Sequence, residues 1–116
     1  IDQIGLAESL SLAYLRSLEA MDFDFSILVI DGKIDYLKDF EVSQTLVAAD
    51  QKVSCVAAAS IIAKVARDKF MIEQADIYGT YGFESNMGYG TRAHLEAIKK
   101  HGLSEIHRNS FCRKCL

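Results

Sequence analysis

The sequence predicts an α/β fold, and three observations carry that prediction. "FSILVID" (Phe25 to Asp31) is a continuous apolar run of the kind a strand buried on both faces requires, and it ends in a carboxylate followed by glycine. "QTLVAAD" (Gln44 to Asp50) is a second short apolar run that also ends in aspartate. The segment between them, Gly32 to Ser43, has about the minimum length for a parallel crossover, and a long helical pattern follows. If the two strands are parallel neighbours, Asp31 and Asp50 meet at their carboxyl ends, where open α/β sheets place their sites.

The elements follow in order. "IDQIGLAESL" opens inside a helical pattern, with Ile4, Ala7, Leu10, Tyr14, Leu15 and Leu18 at three- and four-residue steps and Asp2 available as a cap. The chain starts with isoleucine in that pattern, so it is expected to be a piece of a longer protein. After the two strands, a helix is predicted from about Cys55 to Tyr78, with Ser54 as its cap. A Gly-rich loop, "YGTYGFESNMGYGT", comes next. Thr91 then caps a short helix that Gly102 ends.

Length and composition bound the function. At 116 residues the chain is expected to form one domain, and with half its residues apolar and a quarter charged it has globular rather than disordered composition. No apolar stretch approaches the roughly 20 residues that span a bilayer, and no charged-then-apolar leader opens the sequence. Three cysteines, two of them in "CRKC", do not make a disulfide framework and fit a reducing compartment, so the expected location is the cytoplasm. A net charge of -3 argues against nucleic-acid binding by bulk attraction, but a local basic groove is compatible with it.

"VAAASIIAKVARDKF" (Val56 to Phe70) carries such a groove candidate. At about 100 degrees per residue, Ser60, Lys64 and Arg67 fall within about 60 degrees of one another, while Ile61, Ile62, Val65 and Ile72 form a separate arc expected to pack. A hydroxyl and two cations suit phosphate oxygens, which accept charge-assisted hydrogen bonds. An ordinary pair between Lys64 and Asp68 on a solvated face accounts for the same spacing and is the commoner arrangement. Spacing alone leaves the question open.

"AAASIIAKVARD" (Ala57 to Asp68), "GYGT" (Gly88 to Thr91) and "IHRNSF" (Ile106 to Phe111), in that order after an aspartate-bearing strand, resemble ribonuclease HII. "IDQIG" is also similar to that family, in which it opens a helix in mid-domain. The resemblance covers essentially the whole chain but only about the second half of the family's domain. It implies a partial ribonuclease H fold, with parallel strands packed by helices and the family's first strands missing from residues 1–116.

It also implies an activity: metal-dependent hydrolysis, with Mg2+ or Mn2+, on the 5′ side of a ribonucleotide in an RNA/DNA hybrid or in a DNA duplex. Asp31, in "VIDG", matches the third of the family's four metal-binding acids, and Asp50, in "AADQ", matches the fourth. Nothing here matches the first pair or the glycine-arginine-glycine loop, so the missing half of the domain is an implied partner and this chain alone is expected to be inactive. Tyr89, between Gly88 and Gly90, matches the tyrosine that contacts the deoxynucleotide after the ribonucleotide. Ser60, Lys64 and Arg67 become candidates for the helix face toward the substrate. Ala48, Ala49 and Met87 stand where the family carries lysine, glycine and lysine, and the tail "CRKCL" lacks a common proline; fewer cations weaken duplex affinity.

A reading from another class is a small zinc-stabilised interaction domain using His101, His107, Cys112 and Cys115. Zinc accepts two histidines and two cysteines, although one CxxC is a weak signal and the histidine spacing is not standard. His107 and Arg108 are otherwise expected to be structural.

Overall fold

A computed structural model describes residues 1–38 and 40–112. The chain forms two compact units, residues 1–61 and residues 62–116, with the boundary inside the long helix.

In the first unit, helix α1 (Leu6–Glu19) precedes strands β1 (Leu28–Asp31) and β2 (Ser43–Leu46). Gly5, with φ 82, rather than Asp2 stands at the N-cap position of α1. Ile4, expected on the helix, lies outside it and is exposed. The sheet is parallel, with Leu28 opposite Ser43 and Asp31 opposite Leu46. The described residues between the strands carry the crossover without a helix, and the side chain of Asp35 organises it. Its Oδ1 accepts the Leu37 N–H at 2.8 Å, and its Oδ2 accepts the Ser43 hydroxyl at 2.5 Å, tying the start of β2 to the crossover. These bonds lower the Asp35 carboxyl below its ordinary range, Ser43 first and Leu37 second. Tyr36 stacks on Tyr14 of α1 at a ring separation of 6.1 Å.

Both strands are shorter than the sequence predicts. The ladder opens where the Leu28 N–H meets the Val42 carbonyl, and among the described residues nothing before Leu28 pairs as a strand. The second strand stops at Leu46 because Ala48 takes a left-handed φ of 54 and turns the chain. Asp50 therefore does not end a strand; it sits in the 3-10 turn Ala49–Gln51. Nor is β1 buried on both faces. Ile30 is buried, Leu28 and Val29 are half-buried, and the described sheet has two strands.

Helix α2 (Ser54–Ile77) matches its predicted span within a residue or so, with Ser54 as its first residue rather than its cap. Its buried residues include Val56 and Met71, whereas the arc expected to pack is open: Ile61, Ile62, Val65 and Ile72 are each at least half exposed. No described residue covers that arc, so periodicity identified the apolar side but not what lies against it.

The second unit is built on the rest of α2. The predicted Gly-rich loop contains a 3-10 turn (Gly79–Tyr81) and a one-turn helix, α3 (Phe83–Asn86). Helix α4 (Arg92–His101) has the predicted ends: the Thr91 hydroxyl accepts the His94 N–H at 3.3 Å, and Gly102, with φ 79, donates its N–H to the Ile98 carbonyl. Lys99, Lys100 and His101 place positive charge at the negative end of the helix dipole. A four-residue helix, α5 (Asn109–Cys112), follows. The core joins Met71, Tyr81, Phe83 and Ile98, with Ala75, Tyr78, Met87, Ala97, Leu103 and Ile106 around it. Phe83 stacks on Tyr81 at 5.5 Å. Among the described residues no helix is long and apolar enough to cross a membrane.

Candidate functional site

The carboxylates of the first unit are linked by a hydrogen bond that the sequence does not announce. Asp31, at the carboxyl end of β1, accepts the Ala49 N–H on its Oδ1 at 2.9 Å. Ala49 is fully buried and opens the 3-10 turn on which Asp50 rides. One acid thus caps the turn that carries the other, and both remain exposed at the end of the parallel pair. Tyr14 is the neighbour that sequence reasoning missed. Its hydroxyl is pushed above the ordinary phenol range, first by burial, then by Tyr36 and by the charge of Asp31. Its helical spacing marked it only as a core residue.

Asp31, with one carboxylate oxygen already engaged, and Asp50 are both hard oxygen donors, the kind that suits magnesium or manganese rather than a soft metal. Among the described residues no group of three or more histidine, cysteine, aspartate or glutamate side chains is placed to hold a metal ion. The structure gives the zinc reading no support: His107 has both ring nitrogens engaged, at Ser104 and at His94, and Cys115 lies outside the described residues.

In the second unit, Tyr89 is the centre of a separate cluster. Its ring is 56% exposed, with the Arg67 guanidinium 4.7 Å from the ring centre and the Lys64 ammonium at 5.9 Å. The first of these is a cation-π contact that holds the ring at a fixed aspect. Lys64 also pairs with Asp68 at 2.5 Å, so the ordinary pair and the presented cation coexist on one side chain. Ser60, on the same helix, is exposed.

The backbone beneath Tyr89 requires its glycine. Gly88 has φ 76, and a Cβ there would come within 3.1 Å of the Met71 methyl and 3.7 Å of Arg67. Gly90 leaves ordinary contact distance to Leu95. Asn86, which the sequence reading passed over, ties the loop down. Its buried side chain donates to the Tyr81 carbonyl at 2.7 Å and accepts the Gly88 N–H at 2.8 Å, while its own carbonyl accepts the Tyr89 N–H at 2.8 Å. The Tyr89 carbonyl in turn accepts the Thr91 N–H at 2.7 Å and Nδ1–H of the buried His94 at 2.9 Å. Beside this loop lies a cleft of about 530 Å³ whose lining includes Arg67, Phe70, Gly88, His94, His107 and Arg108.

A parallel strand pair with helices, and an aspartate at the carboxyl end of its first strand, is consistent with the partial ribonuclease H-like α/β class. Comparison with known proteins makes the class specific. The family model for ribonuclease HII matches residues 28–114. Ribonuclease HII of Chlorobium luteolum is 46% identical over 112 residues, covering 96% of this chain and 53% of the relative. The proteins of that name from Endomicrobium trichonymphae and Chloroherpeton thalassium are 43% and 44% identical, covering 96% and 100% of this chain and 53% and 57% of the relatives. The chain belongs to the ribonuclease HII family, and it spans about half the length of these curated relatives.

Proposed function

We propose that the chain supplies part of a metal-dependent endonuclease that hydrolyses the phosphodiester on the 5′ side of a ribonucleotide. Its substrate is an RNA/DNA hybrid or a DNA duplex with an embedded ribonucleotide, and its setting is cytoplasmic replication and repair. The observation that supports this reading is the Asp31 cap on the turn that carries Asp50, within the stretch matched by the family. Asp31 and Asp50 would hold Mg2+ or Mn2+, which when bound holds the attacking water and stabilises the leaving oxygen. The remaining oxygen donors come from waters, substrate phosphate and the acids of a further segment of the same catalytic domain.

The residues of this chain then divide the work. Tyr89 stacks on a sugar or base of the strand, and Gly88 and Gly90 let the backbone approach it. Arg67, seated on that ring, brings a positive charge to the same point, where a phosphate follows every sugar. Lys64 and Ser60 offer further donors along α2. Asp31→Asn and Asp50→Asn remove charge but little volume. In the natural full-length protein each is expected to lower cleavage of a duplex with one ribonucleotide on the order of a hundredfold or more, with the fold unchanged by circular dichroism. Near-normal cleavage by both variants in magnesium would reject the assignment.

A further inference from the structure

His94 and His107 form a hydrogen-bonded chain whose proton positions can be worked out from its ends. The Tyr89 carbonyl can only accept, so His94 must carry its proton on Nδ1, 2.9 Å away. A neutral His94 then has a bare Nε2, which faces His107 Nε2 at 3.0 Å. His107 must therefore donate from Nε2 and keep Nδ1 bare. That nitrogen accepts the Ser104 N–H at 3.0 Å and the Ser104 hydroxyl at 2.7 Å. A single neutral tautomer of each ring satisfies every group in the chain. A second proton on either ring removes an acceptor that the chain uses: at His94 two N–H groups would face each other, and at His107 an N–H would face that of Ser104.

The surroundings favour the neutral state of His107. His94 is 4% exposed. The His107 imidazole titrates below its ordinary range, because burial penalises the cation and because His94 adjoins it. The Tyr81 ring packs on His107 at 4.9 Å and edge-on to His94 at 6.4 Å, Phe83 touches both rings, and His101 reaches only Tyr81. The charged and titratable groups that share their cleft are Arg67, Arg108 and Cys112. Among the described residues no carboxylate lines that cleft.

We propose that His94 and His107 are positioning residues acting as a proton-sensitive clasp on the Tyr89 loop: with both rings neutral the chain from Ser104 through His107 seats His94 on the Tyr89 carbonyl and so aims the Tyr89 ring, and a proton on His107 Nδ1 breaks the anchor at Ser104. The inference rests on the proposed role of Tyr89 in engaging the ribonucleotide-bearing strand. It adds an acid limb to substrate engagement, set in the second unit and separate from the carboxylates of the first.

Two measurements test it, and they fail independently. The first uses nitrogen-15 NMR of the histidine rings in the natural full-length protein between pH 5 and 8, without substrate. The expected result is Nδ1–H on His94 and Nε2–H on His107 at pH 7, with titration of His107 shifting the Tyr89 and Thr91 amide signals in the same step. Opposite tautomers, or a titration that leaves those amides unmoved, would overturn the clasp whatever the protein cleaves.

The second compares the wild type with His107→Gln, whose amide can donate to His94 but cannot titrate. Between pH 7.5 and 5.5 the ratio of wild-type to His107→Gln kcat/KM for a duplex with one ribonucleotide is expected to fall severalfold, mostly through KM. His107→Leu, which cannot donate, is expected to be impaired at both pH values and to be matched, not worsened, by the added change Tyr89→Ala. A constant ratio would overturn the clasp. Absence of cleavage by any form, with the expected tautomers seen, would reject the nuclease reading and leave the clasp standing.

Discussion

Removing the Asn86 side chain is the most direct test of how the Tyr89 loop is held. Asn86 is 7% exposed and joins two backbone groups that are five and two residues away from it, the Tyr81 carbonyl at 2.7 Å and the Gly88 N–H at 2.8 Å. Asn86→Ala removes the partner of both. An orphaned buried group costs about 1–3 kcal/mol. The Tyr81 carbonyl should bear the upper part of that range and the half-buried Gly88 N–H the lower, giving about 2–4 kcal/mol in all. For a chain of this size that corresponds to a drop in Tm of roughly 10 °C. Thermal unfolding followed by circular dichroism reads the drop, and amide exchange at Gly88 and Tyr89 should accelerate with it. Asn86→Asp keeps the acceptor for Gly88 but points a second oxygen at the Tyr81 carbonyl, so it should be no more stable than the alanine variant. A Tm within about 2 °C of wild type for Asn86→Ala, or a clearly more stable aspartate variant, would refute the reasoning.

Other outcomes follow from the same geometry. Tyr89→Ala should weaken cleavage at a lone ribonucleotide by about 1–3 kcal/mol, the range of base-aromatic stacking, while Tyr89→Phe retains most of it; equal damage from both would assign the effect to the hydroxyl. Stability should fall on acidification in two windows, measured as urea midpoints against pH. His107 is lowered from 6.5, so its contribution is complete above 6.5 and is lost as pH falls through its folded value. Asp35 is lowered from 3.8, so its contribution is present above 3.8 and is lost on further acidification; Ser43→Ala should shrink that second window. A flat profile between pH 7 and 5 would contradict the neutral histidine pair.

Much of this protein was legible in the sequence because the relevant physics is local. Apolar runs and turn residues placed Asp31 at a strand end, helical periodicity bounded α2, and a threonine and a glycine in the right places predicted both ends of α4. The family, too, was legible, since three short strings in order carry it and the match over residues 28–114 agrees. What tertiary structure alone decided depends on partners far apart in the chain. Asp50 looked like the end of a strand, but the chain turns at Ala48, and a bond from Asp31 across eighteen residues caps the turn instead. Asn86 and His94 passed unremarked and His107 was expected only to be structural or a zinc ligand, because a buried polar side chain differs from an exposed one only in what surrounds it. Ile61, Ile62, Val65 and Ile72 read as a packing face for the converse reason: periodicity reports which side of a helix is apolar, whereas burial requires a second surface, and no described residue supplies one.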